Sequence, residues 1–252
     1  MNIAGATSVG LVRSNNEDAF FFTANQIGPL SNLFIVADGM GGHNAGEVAS
    51  AKSLEYFHEF VLQSHRDVHG VPGDMVTFLV GAVEYANKGV YEHSLTNPGF
   101  SGMGTTFSAC AVLGDKLAIA HIGDSRIYTI AQGRVITQIT EDHSYVAEMV
   151  QAGNITPTEA KIHPNRNQLT RVLGCEPPVN VDGILHDING VDSVLLCSDG
   201  LTDMLSDEEI MSIVSQNTFP QTRVQDLIDA ANDRGGKDNI TVIIIDVKGE
   251  TN

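Results

Sequence analysis

Four aspartates stand where an apolar segment of the sequence ends or is about to begin: Asp38, Asp124, Asp199 and Asp238. Aspartate beside glycine or asparagine is ordinary in tight turns, so each residue taken alone has a purely structural explanation. Strand ends, however, place side chains at a common sheet edge, where several carboxylates repel one another unless a cation lies between them. As a set, the four residues therefore indicate a cation site as well as a series of turns.

The donor atoms of such a site would all be oxygens, from carboxylates, one backbone carbonyl and water. Oxygen ligands favour Mg²⁺ or Mn²⁺ over zinc or copper, and the glycine after Asp38 would let a carbonyl group approach the ion closely. Two such ions about 3.5–4 Å apart can convert a bridging water to hydroxide near neutral pH. Phosphate monoester hydrolysis, which is among the slowest uncatalysed reactions, is the reaction that most needs this assistance.

Arg13 is the candidate for binding a phosphate group. It begins the segment Arg13–Asp18, which is rich in turn-forming residues and directly precedes a predicted strand. A guanidinium group can bind two phosphate oxygens in a fork, which a lysine cannot do. The alternative is a surface arginine paired with Glu17 or Asp18, and the spacing by itself favours this second interpretation.

The apolar periodicity predicts the elements that must position these residues. The predicted strands are Asn2–Ser8, Ala19–Thr23, Leu33–Ala37, Thr105–Leu113, Lys116–Ile122, Arg126–Ile130, Arg134–Ile139, Val194–Cys197 and Ile240–Val247. The predicted helices run from Ala45 to about Ser64, from Asp74 as N-cap to about His93, over Asp207–Gln216 and over Thr222–Asn232. Tight turns are expected at Gly114-Asp115 and Gln132-Gly133, and an irregular polar segment at about 144–178.

Strands occur early, in the middle and at the very end of the chain, with paired helices between them. A last strand that returns to a sheet begun at residue 2 predicts one domain over residues 1–252. We expect an α+β fold, a four-layer α-β-β-α sandwich of two mostly antiparallel sheets flanked by helix pairs. The central meander of strands joined by short turns argues against a doubly wound parallel sheet.

The chain carries 31 acidic and 14 basic residues, a net charge of −17. This charge repels phosphate backbones and anionic lipid, so neither nucleic acid nor a membrane is expected as a partner. The excess carboxylates could bind cations, or could simply keep the protein dispersed. The cysteines, Cys110, Cys175 and Cys197, are odd in number and predict neither a disulfide framework nor a zinc site. With no signal pattern and no apolar run of about 20 residues, a cytoplasmic protein is expected.

Six short motifs occur along the chain in an order that resembles a known family. They are Arg13-x-x-Asn16-x-Asp18, Val36-Ala-Asp-Gly-Met-Gly-Gly-His43, Gly104-Thr-Thr106, Gly123-Asp-Ser-Arg126, Ser198-Asp-Gly200 and Asp238-Asn239. Together they resemble the metal-dependent serine/threonine protein phosphatases, the PPM or protein phosphatase 2C-like family, and most closely its short bacterial members. The resemblance extends from about Gly5 to Val247.

The resemblance implies a binuclear Mn²⁺ or Mg²⁺ centre at one end of the sandwich. In the family's arrangement, Asp38 bridges both ions and the carbonyl group of Gly39 binds one of them. Asp199 and Asp238 match the residues that complete the ligands of the first ion.

The second ion of the family is served largely through water, by residues that match Glu17 and Asp18. Bacterial relatives can carry glutamine where Glu17 stands, so Asp18 is the firmer match of the two. The resemblance also implies a third, more weakly bound ion, for which Asp124 and Asp199 match the ligands.

By the same resemblance, Arg13 matches the phosphate-binding arginine. Animal members have a histidine directly after the Asp-Gly pair, proposed as the acid that protonates the leaving alkoxide. This sequence has Met40 there, which cannot donate a proton. His43, three residues further on, is the candidate in its place, and the alternative is that it only hydrogen-bonds a metal-bound water.

The predicted activity is therefore hydrolysis of phosphoserine and phosphothreonine in proteins, by attack of a hydroxide that bridges two metal ions. The resemblance implies a monomer that acts on the substrates of a serine/threonine kinase, with the segment at about 144–178 as the flap beside the metal centre. Two alternatives remain open. One is a phosphatase dedicated to a single regulatory phosphoprotein of the anti-sigma-antagonist type, and the other is a catalytically inactive phosphoprotein-binding module of the same fold.

Overall fold

The computed structural model describes residues 1–41, 45–64, 71–131 and 135–247. Its strands form two sheets in which each named strand pair is antiparallel. In chain order the strands are β1 (Asn2–Ser8), β2 (Asp18–Thr23), β3 (Leu33–Met40), β4 (Gly104–Thr105), β5 (Phe107–Leu113), β6 (Lys116–Ile122), β7 (Arg126–Ala131), β8 (Val135–Gln138), β9 (Asp182–Asp187), β10 (Val191–Cys197) and β11 (Ile240–Asp246).

The first sheet has the strand order β1-β11-β10-β7-β8. Its strands β1 and β11 pair over their whole length, from Asn2 opposite Asp246 to Ser8 opposite Ile240. The last strand therefore returns to the sheet that the first strand begins, as the sequence predicts. The second sheet has the order β2-β3-β5-β6-β9, with β4 paired to β3.

Helices cover the outer face of each sheet. The helices of the described residues are α1 (Ala45–Gln63), α2 (Pro72–Ser94), α3 (Tyr145–Gln151), α4 (Pro157–Ile162), α5 (Asp199–Thr202), α6 (Asp207–Val214) and α7 (Pro220–Asp233), and a short 3₁₀ helix spans Pro98–Phe100. The helices α1 and α2 pack on each other and on β3 and β6 of the second sheet. The helices α6 and α7 pack on each other, and α7 lies on β1 and β11 of the first sheet.

Apolar side chains fill the three spaces between these layers. The space under α1 and α2 holds Phe57, Leu79 and Phe107, the space between the two sheets holds Phe34, Ile119, Leu196 and Ile243, and the space under α7 holds Leu227 and Val242. All of these side chains are buried, and burial of apolar area is the main favourable contribution to folding. The order helix, sheet, sheet, helix confirms the predicted four-layer α+β sandwich.

The second helix begins earlier than its sequence predicts. Helix α2 starts at Pro72, and Val71 rather than Asp74 is its N-cap. Proline suits the first helical turn because its φ is already helical and its missing N–H would have no partner there. The prediction that Asp74 caps this helix is therefore wrong.

The strands around the first Asp-Gly pair also differ from the prediction. The strand β3 continues past Ala37 to Met40, so Asp38 is part of the strand rather than the residue that follows it. The predicted strand Thr105–Leu113 is divided at Thr106 into β4 and β5. Pairing of Gly39 and Met40 with β4 is what extends β3.

One strand has no counterpart in the sequence prediction. The strand β9 lies at the edge of the second sheet, beside β6, and alternates half-buried and exposed residues. Aspartate at both ends and an early glycine give it a low β propensity. The predicted turn at Gly114-Asp115 is confirmed by a two-residue connection between β5 and β6, whereas Gln132-Gly133 lies outside the described residues. Within the described ranges, none of the helices has an apolar stretch sufficient to span a bilayer.

Candidate metal centre

The aspartates singled out from the sequence come from both sheets, and β11 of the first sheet contacts β2 and β3 of the second. Asp18 is the first residue of β2 and lies opposite Asp38 of β3. Asp199 is the first residue of α5, Asp238 lies two residues before β11, and Asp124 follows β6. The sandwich thus positions five carboxylates that are far apart in the chain at one end of its two sheets.

Two hydroxyl groups hold the carboxylate of Asp18. Ser198 Oγ donates to Asp18 Oδ2 at 2.8 Å, and Thr241 Oγ1 donates to the same oxygen at 2.6 Å. The other oxygen, Oδ1, is buried and has no hydrogen-bond partner. Burial raises the pKa of Asp18 to about 6 against the opposing effect of the two hydroxyls. A buried, unpartnered carboxylate oxygen of this kind is what a cation would satisfy.

Thr105 and Thr106, which lie where β4 meets β5, hold the backbone of Asp38 by hydrogen bonds. Its N–H donates to Thr106 Oγ1 at 2.9 Å, and its carbonyl oxygen accepts from Thr105 Oγ1 at 2.9 Å and from the N–H of Thr106 at 2.8 Å. Burial raises the pKa of the Asp38 carboxyl well above its usual range, and the negative charges of the four other clustered aspartates raise it further. The side chain therefore lies within electrostatic reach of all four.

Asp199 and Asp124 share this environment. Burial raises the pKa of Asp199 well above its usual range, and the charges of Asp124 and Asp203 add to the effect. Burial also raises the pKa of Asp124 to about 7, with a further contribution from Asp142 and an opposing one from Arg126. Like charges in a desolvated cluster favour protonation until a cation compensates them.

Asp203 also belongs to this cluster of interacting carboxylates, although it was not among the residues predicted from the sequence. Its charge raises the pKa of both Asp124 and Asp199, and it pairs with Arg166 at 3.9 Å. It stands four residues after Asp199, the spacing that places side chains on the same face of a helix. That spacing could have indicated it.

Arg13 forms an ion pair with a member of the cluster. Its Nη2 donates to Asp238 Oδ2 at 2.7 Å, and half of the arginine side chain remains exposed. This hydrogen bond raises the pKa of the guanidinium above its usual value. The partner is Asp238 and not Glu17 or Asp18, so the interpretation of a surface arginine paired within its own segment is wrong.

Glu17 and Gly39 lie at the contact between β3 and the start of α1. The N–H of Gly39 donates to the backbone oxygen of Glu17 at 3.1 Å, and Ser50 Oγ donates to the same oxygen at 2.6 Å. A Cβ on Gly39 would overlap the carbonyl oxygen of Gly46 and would lie 2.6 Å from the Glu17 oxygen. Glycine is therefore required at position 39 for this close packing. Burial also raises the pKa of the Glu17 carboxyl.

The remaining candidate, His43, lies outside the described residues. Among the residues that the structure does describe, no three histidine, cysteine or acidic side chains already form a group that could hold a metal ion. In this arrangement one oxygen of Asp238 is engaged by Arg13, and one oxygen of Asp18 by two hydroxyls.

The chemistry of the cluster nevertheless fits a divalent metal with a preference for oxygen. Its donors are carboxylates, the raised pKa values of Asp18, Asp38 and Asp199 reflect desolvation and repulsion by neighbouring charges, and Asp18 Oδ1 is a buried acceptor with no partner. Mg²⁺ and Mn²⁺ take ligands of this type.

Comparison with known proteins identifies the family. The sequence pattern of the family described as "Protein phosphatase 2C" matches residues 11–235. A serine/threonine phosphatase of Listeria monocytogenes, Stp, is 36% identical over 243 residues, which are 95% of this chain and 93% of that protein. The chain belongs to the protein phosphatase 2C family. It is thus a serine/threonine protein phosphatase, and the family resemblance noted in the sequence is confirmed.

Further relatives of this phosphatase agree with the assignment. The serine/threonine protein phosphatase PstP of Mycobacterium tuberculosis is 37% identical over 250 residues, which are 98% of this chain and 45% of the PstP sequence. The crystal structure of the serine/threonine phosphatase Stp1 from Staphylococcus aureus superimposes with a TM-score of 0.90 at 35% identity, covering 99% of this chain and 96% of Stp1.

One solved structure bears on the cofactor of the phosphatase. The catalytic domain of PstP was crystallised in complex with two manganese ions, and it matches this chain with a TM-score of 0.81 at 34% identity over 97% of this chain and 96% of that domain. A divalent metal is the cofactor of this family, as the oxygen-rich cluster indicates. The protein phosphatase 2C fold and the enzyme class are thereby established for the chain.

Proposed function

We propose that the buried carboxylate cluster is the catalytic centre at which this phosphatase hydrolyses phosphoserine and phosphothreonine. The observation that carries the proposal is the convergence of Asp18, Asp38, Asp124, Asp199 and Asp238 at one end of the sandwich, where the charges of the other four raise the pKa of Asp38. A fold that only needed stability would have little use for several desolvated like charges. Divalent cations account for their presence.

We assign the metal-binding roles as follows. Asp38 would be shared by two ions, with Asp199, Asp238 and the carbonyl group of Gly39 completing the ligands of the first. This assignment is supported by the pKa of Asp38, which the charge of each of the other four aspartates raises.

The second ion would be held by Asp18, whose Oδ1 is free, and more remotely by Glu17. Asp124 and Asp199 could hold a third, weaker ion, which is supported by the effect of the Asp124 charge, which raises the pKa of Asp199. When bound, such ions supply an activated water molecule and neutralise charge on the phosphoryl group.

Arg13 would bind the phosphoryl oxygens of the substrate. The guanidinium is half exposed beside the cluster, so a substrate can reach it, and only its Nη2 is engaged by Asp238. A phosphate group offers two oxygens in the geometry that the guanidinium fork matches. Binding of the substrate would therefore draw the guanidinium from Asp238 to the phosphate, which orients the phosphorus atom and leaves Asp238 to the cation.

His43 would donate the proton that the leaving seryl or threonyl oxygen needs. An alkoxide is a poor leaving group, and an imidazole titrates near neutral pH, which suits it to this transfer. The position of His43 in the sequence, five residues after Asp38 and just before α1, supports the role. Met40, which follows the Asp-Gly pair, has no proton to give.

We further infer that the chain is a single catalytic domain that acts in the cytoplasm as a monomer on the phosphoprotein products of a serine/threonine kinase. The inference of a reducing compartment is supported by the described cysteines, which are all free although Cys175 is exposed. The segment at about 144–178 would act as a flap that contributes to substrate choice. Its ion pair between Arg166 and Asp203 reaches toward the cluster, which supports that role.

A direct assay of this proposal compares p-nitrophenyl phosphate and a phosphothreonine peptide as substrates, each with Mn²⁺ and with EDTA. We expect turnover of both with Mn²⁺ and none with EDTA. The variant Asp38→Asn should lose activity by at least about 100-fold. Loss of a residue that only supports a metal ligand already reduces activity by up to about 100-fold, and Asp38 is itself a proposed ligand. Asp229→Asn, which changes an exposed carboxylate on α7, is the matched control and should retain activity.

Two results would contradict the proposal. Turnover that persists in EDTA would remove the metal-dependent mechanism. Folded protein that binds phosphopeptide but turns over neither substrate with Mn²⁺ would identify an inactive binding module.

A further inference from the structure

Asn239 is 5% exposed, and its side chain lies against segment 9–17, which joins β1 to β2. Its Nδ2 donates to the carbonyl oxygen of Val9 at 3.0 Å and to that of Asn15 at 2.9 Å. Its Oδ1 accepts from the backbone N–H of Glu17 at 2.8 Å. Both amide hydrogens and the amide oxygen of Asn239 are thus used on one distant segment.

Segment 9–17 has neither helix nor strand of its own, so side chains and turns must fix it. The N–H groups of Leu11 and Val12 both donate to the carbonyl oxygen of Gly236, at 2.7 and 3.3 Å, and this fixes the middle of the segment. Asn239 fixes its two ends. Arg13 lies between these attachment points, and Asp18 follows directly after the last of them.

We infer that Asn239 is a positioning residue of the phosphatase, which holds segment 9–17 so that Arg13 faces the carboxylate cluster. The inference rests on the proposed function, in which Arg13 binds the phosphoryl group. Asn239 acts through the segment, because its three hydrogen bonds all go to main-chain groups of residues 9–17. A shift of a catalytic group by about 1 Å can reduce a rate by about 100-fold, so this support has catalytic consequences.

Asn32 provides a matched control for a purely structural role. It is also buried, at 7% exposure, and its side-chain amide both donates to and accepts from the backbone of Val112, at 2.9 and 2.7 Å. It precedes β3, whereas Asp38 lies near the other end of that strand. Asn32→Ala and Asn239→Ala should therefore both lower the thermal unfolding midpoint, but only Asn239→Ala should affect phosphate binding.

The first measurement is hydrogen exchange of the full chain without metal, followed on peptides that cover residues 9–18. Asn239→Ala removes the acceptor of the Glu17 N–H and the two donors that anchor the ends of the segment. We expect faster exchange in this region for Asn239→Ala than for Asn32→Ala under the same conditions. Equal exchange in the two variants would overturn the inference, whatever the enzyme's activity.

The second measurement is inhibition by inorganic phosphate of p-nitrophenyl phosphate hydrolysis at saturating Mn²⁺. Asn239→Ala should raise the inhibition constant and KM by about 10- to 100-fold, the range expected from misplacing a catalytic group. In an Arg13→Ala background the same substitution should change both constants by less than about 3-fold, because the group that it positions is gone. Asn32→Ala should leave both constants unchanged in either background.

An effect of Asn239→Ala that is equally large with and without Arg13 would overturn the inference, as would the absence of any effect on KM and on phosphate inhibition. Failure of the proposed function gives a different result. In that case the unsubstituted protein shows no Mn²⁺-dependent turnover, or Arg13→Ala alone leaves phosphate inhibition unchanged.

Discussion

The carboxyl group of Asp18 illustrates how neighbours and burial compete within this site. Hydroxyls of Ser198 and Thr241 donate to it and stabilise its charged form, while burial opposes that form and raises its pKa to about 6. The net result is a group that takes up a proton more readily than an exposed aspartate does. A divalent cation at the free Oδ1 would reverse this balance, which is consistent with the proposed role of Asp18 as a metal ligand.

The proton donor of the reaction can be tested through the leaving group. We expect His43→Ala to slow hydrolysis of a phosphothreonine peptide by about 100-fold, because the alkoxide then leaves without a proton. Hydrolysis of p-nitrophenyl phosphate should slow by less than about 3-fold, since nitrophenolate needs little protonation. Steady-state kinetics with both substrates make the comparison, and His186→Ala on β9 is the control. Equal slowing of the two substrates would rule out the role of His43 as the acid.

Individual residue types carried much of the information about the site. The aspartates were recognisable because each follows or precedes an apolar segment, and Arg13 because it stands in a turn-rich segment. The contacts of these residues were not recognisable. Arg13 pairs with Asp238, 225 positions away in the chain, and Asn239 bonds to residues 222 to 230 positions away. Such pairs are fixed by how the sheets pack, which no local pattern encodes.

The end of β3 and the start of α1 are held together by two facing glycines. Gly39 approaches the carbonyl oxygen of Gly46 so closely that a methyl group has no room, and the backbone of Glu17 closes the third side. Gly39 directly follows Asp38 within β3, so this close packing of the helix on the strand lies beside the proposed metal centre.

Substitution of Gly39 tests this contact. Gly39→Ala should lower the free energy of unfolding by about 1–3 kcal/mol, the usual cost of overpacking, because backbone atoms of Gly46 and Glu17 cannot move aside easily. Gly73→Ala is the control, since nothing lies within 4 Å of a Cβ there. It should raise the free energy of unfolding slightly, by up to about 1 kcal/mol. Urea denaturation measures both. A Gly39→Ala protein as stable as the original would contradict this account of the contact.

Elements with a strong apolar pattern were predicted well, and elements shaped by their neighbours were not. The strands β1, β6 and β11 have nearly the bounds that the sequence predicts. The strand β9 was missed because an edge strand with polar, half-exposed residues has a weak pattern. The strand β3 was predicted to end too early because its last residues pair with β4, a partner supplied from residues 104–105.

The net charge of −17 is not spread evenly over the folded protein. Some of the excess carboxylates are not solvated at the surface but gathered at one end of the sandwich, where burial raises the pKa of Asp18 to about 6 and that of Asp124 to about 7. Without a cation, the folded state binds protons there more tightly than the unfolded chain does. The stabilising contribution of these two carboxyl groups in the metal-free protein should therefore be lost as pH rises from about 4 to about 7.

The most direct test of the metal centre is calorimetric titration of the metal-free protein with Mn²⁺, at about pH 6 and at about pH 8 in buffers of different ionisation enthalpy. We expect about two bound equivalents, with more protons released at the lower pH, because Asp18 and Asp124 are still partly protonated there. We also expect fewer equivalents for Asp38→Asn and no change for Asp229→Asn. Folded protein that binds no Mn²⁺, or an Asp38→Asn variant that binds it as the original does, would show that the carboxylate cluster is not the metal centre.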